Sequence, residues 1–305
     1  MDTPEARYDR LTDRVAALYE EGLQPVALDL LENVDPELRP WSAELAHLRA
    51  CVLGSIGEAA EALRVLQEAS DDGGWWEESI LTEDDDLAPL QALPGFQKLV
   101  ELSRDRRITV EDPPLVALPQ EGGGVRGVVV ALHGAGQRAS HAMKDWAAVL
   151  ELGFTLVGVE SSRLMSPMYR TWPDKEAAER DLARALEQLP GELRGLPLIA
   201  AGFSAGGRVA LDWALTGRPA PAAGVVVLAP ALRELPAEAQ GPLSPASVVI
   251  GTDDELLQVV DEAGERLSEF GLSIERVPGL THEFPADFAA RLTTLLSGVS
   301  TARGA

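Results

Sequence analysis

Cysteine is almost missing from this chain of 305 residues: Cys51 is the only one, so no intramolecular disulfide can form. It falls in a helical apolar pattern, ELAHLRACVLGSI, and reads as a buried, inert thiol. Basic residues are scarce too, with 26 Lys and Arg against 49 Asp and Glu and a net charge of -23. A field of that sign repels phosphate backbones and anionic lipid, which argues against nucleic acid and membrane surfaces as partners. No apolar run approaches the roughly 20 residues of a membrane-spanning helix. The opening MDTPEARYDRLTDR has no hydrophobic leader, so a cytoplasmic protein is expected. Histidine occurs only four times, which leaves few candidates for any mechanism that needs a neutral base.

What is present divides in two. From about Tyr8 to Arg107 apolar residues recur three and four apart with almost no β-branched runs, the signature of helices. Beyond Arg107, apolar runs of five to eight residues (GVVVALHG, FTLVGVES, PLIAAGF, AGVVVLAP, ASVVIG, LSIERV) alternate with helical stretches, among them Ala139 to Leu152 and Glu255 to Phe270. Continuous apolar strands separated by amphipathic helices predict a doubly wound, mostly parallel α/β sheet covered on both faces. The expected domains are therefore 1–107, all helical, and 108–305, α/β. ITVEDPPLVALPQEGGG, at the start of the second, would supply one or two edge strands before a Gly-rich turn.

The helical third echoes itself. GLQPVALDLLENV from Gly22 aligns with GEAAEALRVLQEA from Gly57, matching Ala27 with Ala62, Leu28 with Leu63 and Leu31 with Leu66. The offset of 35 is close to the roughly 34-residue period of tetratricopeptide repeats, and the segment resembles two degenerate units of that family. The resemblance implies a groove that could bind a protein partner or pair two copies of the chain.

GFSAGG, from Gly202 to Gly207, follows the apolar strand PLIAA and precedes the helical pattern RVALDWAL. A G-x-S-x-G string between a strand and a helix is a nucleophile elbow, in which a strained turn lifts the serine hydroxyl out of the sheet. Here the chain resembles the α/β-hydrolases, over most of Ile108 to the C-terminus. The resemblance implies Ser204 as nucleophile, activated by a histidine. His47 lies in the helical third and His141 in a predicted helix, and both read as ordinary surface or helix residues. His133, in ALHGAG, ends the first core strand, where the family uses a His-Gly pair to shape an oxyanion loop. His282, in VPGLTHEFPADF past the last strand, stands where the family places its catalytic imidazole. The third member is a carboxylate in ASVVIGTDDELL, and the family's G-x-x-D spacing from Gly251 favours Asp254, with Asp253 as competitor.

The same resemblance implies backbone oxyanion donors at Ala135 and Ala205, with Gly134 and Gly136 letting the turn curl. SSRLMSPMYRTWPDK is rich in large apolar residues, and Met168, Tyr169 and Trp172 are expected to line a pocket for acyl or alcohol groups. The acidic run from Glu83 to Asp86 reads as a solvated turn, and no metal-ligand spacing accompanies it. No metal or cofactor is expected. The short link between the strands at Ala229 and Val249 leaves no room for a large lid, which fits the carboxylesterase and dienelactone-hydrolase-like branch. The implied activity is cleavage of carboxylic esters or thioesters of a small to medium molecule through an acyl-enzyme. A peptidase or acyltransferase on the same triad, or a non-catalytic scaffold, are the rival expectations.

Overall fold

The computed structural model describes residues 3–119 and 124–299. Two compact units emerge, Met1–Thr109 with Leu164–Tyr169, and Val110–Arg163 with Arg170–Ala305.

In the first unit, glycines at positive φ mark where helices stop and reverse. Helices α1 (Pro4–Glu20) and α2 (Gln24–Glu32) are joined through Gly22, and α3 (Ser42–Ser55) and α4 (Ala59–Asp71) through Gly57. At both junctions the N–H after the glycine reaches back to close the helix end: Leu23 to the Leu18 carbonyl at 2.8 Å, Glu58 to Leu53 at 2.9 Å. The sequence echo is thus two helical hairpins, and Ala27 and Ala62 are fully buried in them. Helices α5 (Glu78–Thr82) and α6 (Phe96–Arg106) complete the run. Trp76 lies in this core with its indole N–H bonded to the Ala43 carbonyl at 3.0 Å. Glu44 is buried, and one of its oxygens accepts from the Ser166 hydroxyl at 2.6 Å and the Met168 N–H at 2.7 Å.

The second unit is a seven-stranded sheet made of β1 (Leu115–Ala117), β2 (Val128–Leu132), β3 (Thr155–Val159), β4 (Leu198–Phe203), β5 (Gly224–Leu228), β6 (Ala246–Gly251) and β7 (Ser273–Val277). Their order is β1-β3-β2-β4-β5-β6-β7, parallel except for β1. Around the sheet run α7 (Ala139–Asp145), α8 (Lys175–Glu187), α9 (Ser204–Thr216), α10 (Leu257–Glu262), α11 (Gly264–Glu269) and α12 (Phe288–Leu296). The central strands are buried along their length because alternate residues feed different cores. Val128, Val130 and Leu132 pack with Leu182 and Trp213 of α8 and α9, while Val129 and Ala131 pack with Phe288 and Leu292 of α12.

Some expectations need correction. The stretch from Ala139 to Leu152 is α7 followed by a 3-10 turn at Ala147–Leu150, because Trp146 leaves helical geometry where its ring packs on Phe284 and Phe288. The stretch from Glu255 to Phe270 is two short helices meeting at Ala263, where Gly264 weakens continuity. One edge strand is formed by the segment after Ile108, and the expected Gly-rich turn falls largely outside the described residues. Among the described residues no helix is long and apolar enough to cross a membrane.

Candidate active site

The chain runs from β2 leftward to β3 and from β4 rightward to β5, so the strand order reverses between β2 and β4. A crevice opens at such a reversal, beyond the carboxyl ends of the two strands, because the following helices leave on opposite faces. The sequence places His133 and Gly134 immediately after β2 and Ser204 immediately after β4.

Ser204 has φ 51°, and Ser204 and Ala229 are the two non-glycine residues at positive φ among those described. A side chain there costs roughly 1–3 kcal/mol and persists only where the surroundings force it. The forcing is visible in the neighbouring glycines. A Cβ on Gly202 would lie 2.5 Å from the Gly206 carbonyl oxygen, and one on Gly206 would lie 2.4 Å from that of Leu132. Strand and helix backbones therefore touch, and the residue between must turn sharply.

Facing the elbow, the His133–Gly136 turn spends most of its own donors. Gly134 donates to Gln137 Oε1 at 2.9 Å and Gly136 to the Arg170 carbonyl at 2.8 Å. Ala135 N–H makes no hydrogen bond to any described residue. Ala205 N–H, in the first turn of α9, likewise lacks an intrahelical acceptor. His133 itself is buried, and its Nε2 accepts from Ser161 N–H at 3.3 Å, which leaves Nδ1 to donate to the Gly134 carbonyl at 2.8 Å. Burial pulls its pKa down to about 3, so the ring is a neutral strut. Glu160 and Arg170 pair at 3.2 Å behind it, both nearly fully buried.

On the other side of Ser204, Asp254 and His282 meet. Asp254 Oδ2 lies 3.0 Å from His282 Nδ1, and Oδ1 accepts from Leu256 N–H at 2.8 Å. A carboxylate can only accept, so Nδ1 carries the proton and the Nε2 lone pair is free. Asp253 points its side chain to Thr252 instead, and its N–H donates to the Leu280 carbonyl at 3.0 Å. That bond stitches the Asp254 loop to the His282 loop. Gly251 permits the approach, since a Cβ there would sit 1.9 Å from the Leu280 oxygen. His282 stands in the loop between β7 and α12, six residues before the helix. Its ring lies on that of Phe203, centroids 4.7 Å apart, and Phe203 is bonded to Ser204. Ser204 and His282 are not hydrogen-bonded to each other. Contacts of this kind tighten when substrate is bound.

Of the residues expected to line a pocket, Trp172 packs on the His133 ring, whereas Met168 and Tyr169 pack within the first unit. Trp172 is 2% exposed, with its indole N–H on the His133 carbonyl at 2.8 Å. Met168 and Tyr169 group with the first unit, packing on the cluster of Tyr8 and Trp41, and the two tyrosine hydroxyls meet. Met168 and Tyr169 are half-buried there. Sequence reasoning missed Phe203 as the platform under the imidazole and Gln137 as the brace of the His133–Gly136 turn, since neither belongs to a motif.

Residues 7–111 match the family described as "A/B hydrolase-like, N-terminal domain". That stretch is the helical third, read above as similar to tetratricopeptide units. In fold the chain is similar to an uncharacterized protein from Bacillus cereus ATCC 10987, at 22% identity over 96% of this chain and 99% of that one, with a TM-score of 0.50. It is also similar to esterase PE8, at 19% identity over 62% of this chain and 100% of that one, TM-score 0.50. No curated protein matches. The fold is that of the α/β-hydrolases, preceded by a helical region.

Proposed function

We propose that the chain is a serine hydrolase that cleaves carboxylic esters or thioesters through an acyl-enzyme, with Ser204 as nucleophile, His282 as base and Asp254 as the acid that orients it. The observation that carries the reading is a serine at φ 51° on the strand-to-helix junction at the sheet's reversal, beside an imidazole whose Nδ1 is held by a buried carboxylate. His282 Nε2 takes the Ser204 proton as Oγ attacks the acyl carbon. The Ala135 and Ala205 amides receive the oxyanion, and Asp254 stabilises the imidazolium. Collapse expels the alcohol or thiol with the proton from His282, and water repeats the sequence to free the acid. The link from Ala229 to Pro245 contains no helix, which favours an open site for small to medium substrates. Likeness in fold to a structure described as an esterase agrees with this reading, which stands on the residues.

The test is labelling by a fluorophosphonate probe together with turnover of p-nitrophenyl esters of increasing chain length. Native protein should label and turn over, and Ser204→Ala should do neither while keeping its fold. Folded native protein that fails on both counts would end the proposal.

A further inference from the structure

The first unit contains a second cluster of reactive side chains, remote from any role in the hydrolase reading and independent of it. His47 and Cys51 are one turn apart on α3, which puts both side chains on one face. Asp84 caps the short 3-10 helix Asp85–Leu90, its Oδ1 accepting the Asp86 N–H at 3.0 Å, and this fixes the other oxygen toward α3. Asp84 Oδ2 lies 3.3 Å from Cys51 Sγ and 3.8 Å from His47 Nε2, and Sγ and Nε2 are 3.6 Å apart.

We propose that this triangle binds one divalent cation of the zinc class, with Cys51 Sγ, His47 Nε2 and Asp84 Oδ2 as protein ligands and a water completing the set. A tetrahedral ion at about 2.3 Å from sulfur and about 2.0–2.1 Å from nitrogen and oxygen holds its ligand atoms roughly 3.3–3.7 Å apart. The three sides of the triangle, 3.3, 3.6 and 3.8 Å, already have that shape, so adjustments of a few tenths of an ångström suffice. All three candidate ligand atoms lie within 4.8 Å of one another.

The surroundings agree. Asp86 lies beside the cluster with its carboxylate on the Tyr19 hydroxyl at 2.8 Å. Among the described residues no Lys or Arg pairs with Asp84 or Asp86, so two carboxylates are left without a cation of the protein's own. The soft thiolate with imidazole selects zinc-class ions over calcium and magnesium. His47 and Asp84 keep 20% and 30% of their side-chain surface exposed, which gives an ion a way in. Binding replaces the S–H bond by a sulfur–metal bond and releases one proton to solvent.

Cobalt(II) is the probe, titrated into reduced full-length protein. One equivalent should bind, with a thiolate-to-cobalt charge-transfer band and the intense d–d absorption of tetrahedral cobalt, and zinc should displace it. Because Cys51 is the only cysteine, that band identifies its ligand without any variant. Cys51→Ser should abolish the band, and Asp84→Asn should weaken binding by at least about tenfold. Proton release should be about one per ion bound. Folded wild-type protein that shows no thiolate band overturns the proposal, and so does a stoichiometry of one ion per two chains. If Cys51→Ser fails to fold, the wild-type spectrum and the Asp84→Asn affinity still decide.

Discussion

Gly206 faces the carbonyl oxygen of His133 so closely that a Cβ would sit 2.3 Å from it. This contact sets the distance between the Ser204 elbow and the His133–Gly136 turn, so widening it should harm both folding and activity. Gly206→Ala is expected to cost at least about 2 kcal/mol of stability, and kcat should fall more than KM rises. A variant with native urea midpoint and native kcat would show that the backbones part without consequence.

The two neighbouring aspartates should separate sharply. Asp254→Asn leaves His282 in the wrong tautomer and is expected to lower kcat by about 10⁴-fold. Asp253→Asn retains its N–H bond to Leu280 and should leave kcat within the same order of magnitude. Equal losses at both positions would refute the assignment.

Strain at residue 204 should be measurable as stability. Ser204→Ala and Ser204→Gly both remove the hydroxyl, but at φ 51° only glycine escapes the Cβ clash. The glycine variant is expected to be the more stable of the two by about 1 kcal/mol in thermal or urea unfolding. An alanine variant at least as stable as glycine would mean the positive φ carries no strain.

His133 supplies a pH dependence whose sign follows from burial. Its folded pKa, about 3, lies below the ordinary imidazole value of 6.5, so its contribution is fully present above 6.5 and is lost as pH falls toward 3. Wild-type stability should therefore drop between those limits more steeply than that of His133→Gln, which has no titrating ring. Parallel curves in a urea-midpoint series across that range would contradict the burial argument.

Glu44 acts with the opposite sign. Desolvation raises its pKa above the ordinary carboxyl value of 4.5, so the folded state favours the protonated acid, and stability is lost as pH rises from 4.5 through the folded pKa. Glu44→Gln keeps an oxygen for the Ser166 and Met168 donors without the charge and should flatten that decline. A decline of the same slope in the variant would place the pH dependence elsewhere.

The central strands were legible in the sequence because burial on both faces makes them continuous apolar runs, bounded by polar or Gly and Pro residues. The elbow was legible because GFSAGG stands between such a strand and an amphipathic helix. The packing of Met168 and Tyr169 with Tyr8 and Trp41 was not legible, since composition cannot distinguish an apolar residue that lines a cavity from one packed in a core. The break at Ala263 was missed for a related reason, as the apolar period runs through it unbroken. His47, Cys51 and Asp84 were each read singly, because the third partner comes from 33 residues beyond the cysteine and only folding brings it close. Phe203 under His282 is likewise a tertiary fact with no local trace.

Because Leu164–Tyr169 groups with helices drawn from the first hundred residues, the N-terminal unit cannot be finished in the order it is synthesised. Leu164 lies 55 residues beyond Thr109 (164 less 109), so six helices leave the ribosome before the Ser166 hydroxyl and the Tyr169 ring that complete their packing exist. Glu44 and Tyr8 must wait, exposed or wrongly partnered, until β2 and β3 have been translated. A gene fragment ending at Thr109 would encode all six helices and still lack part of their core.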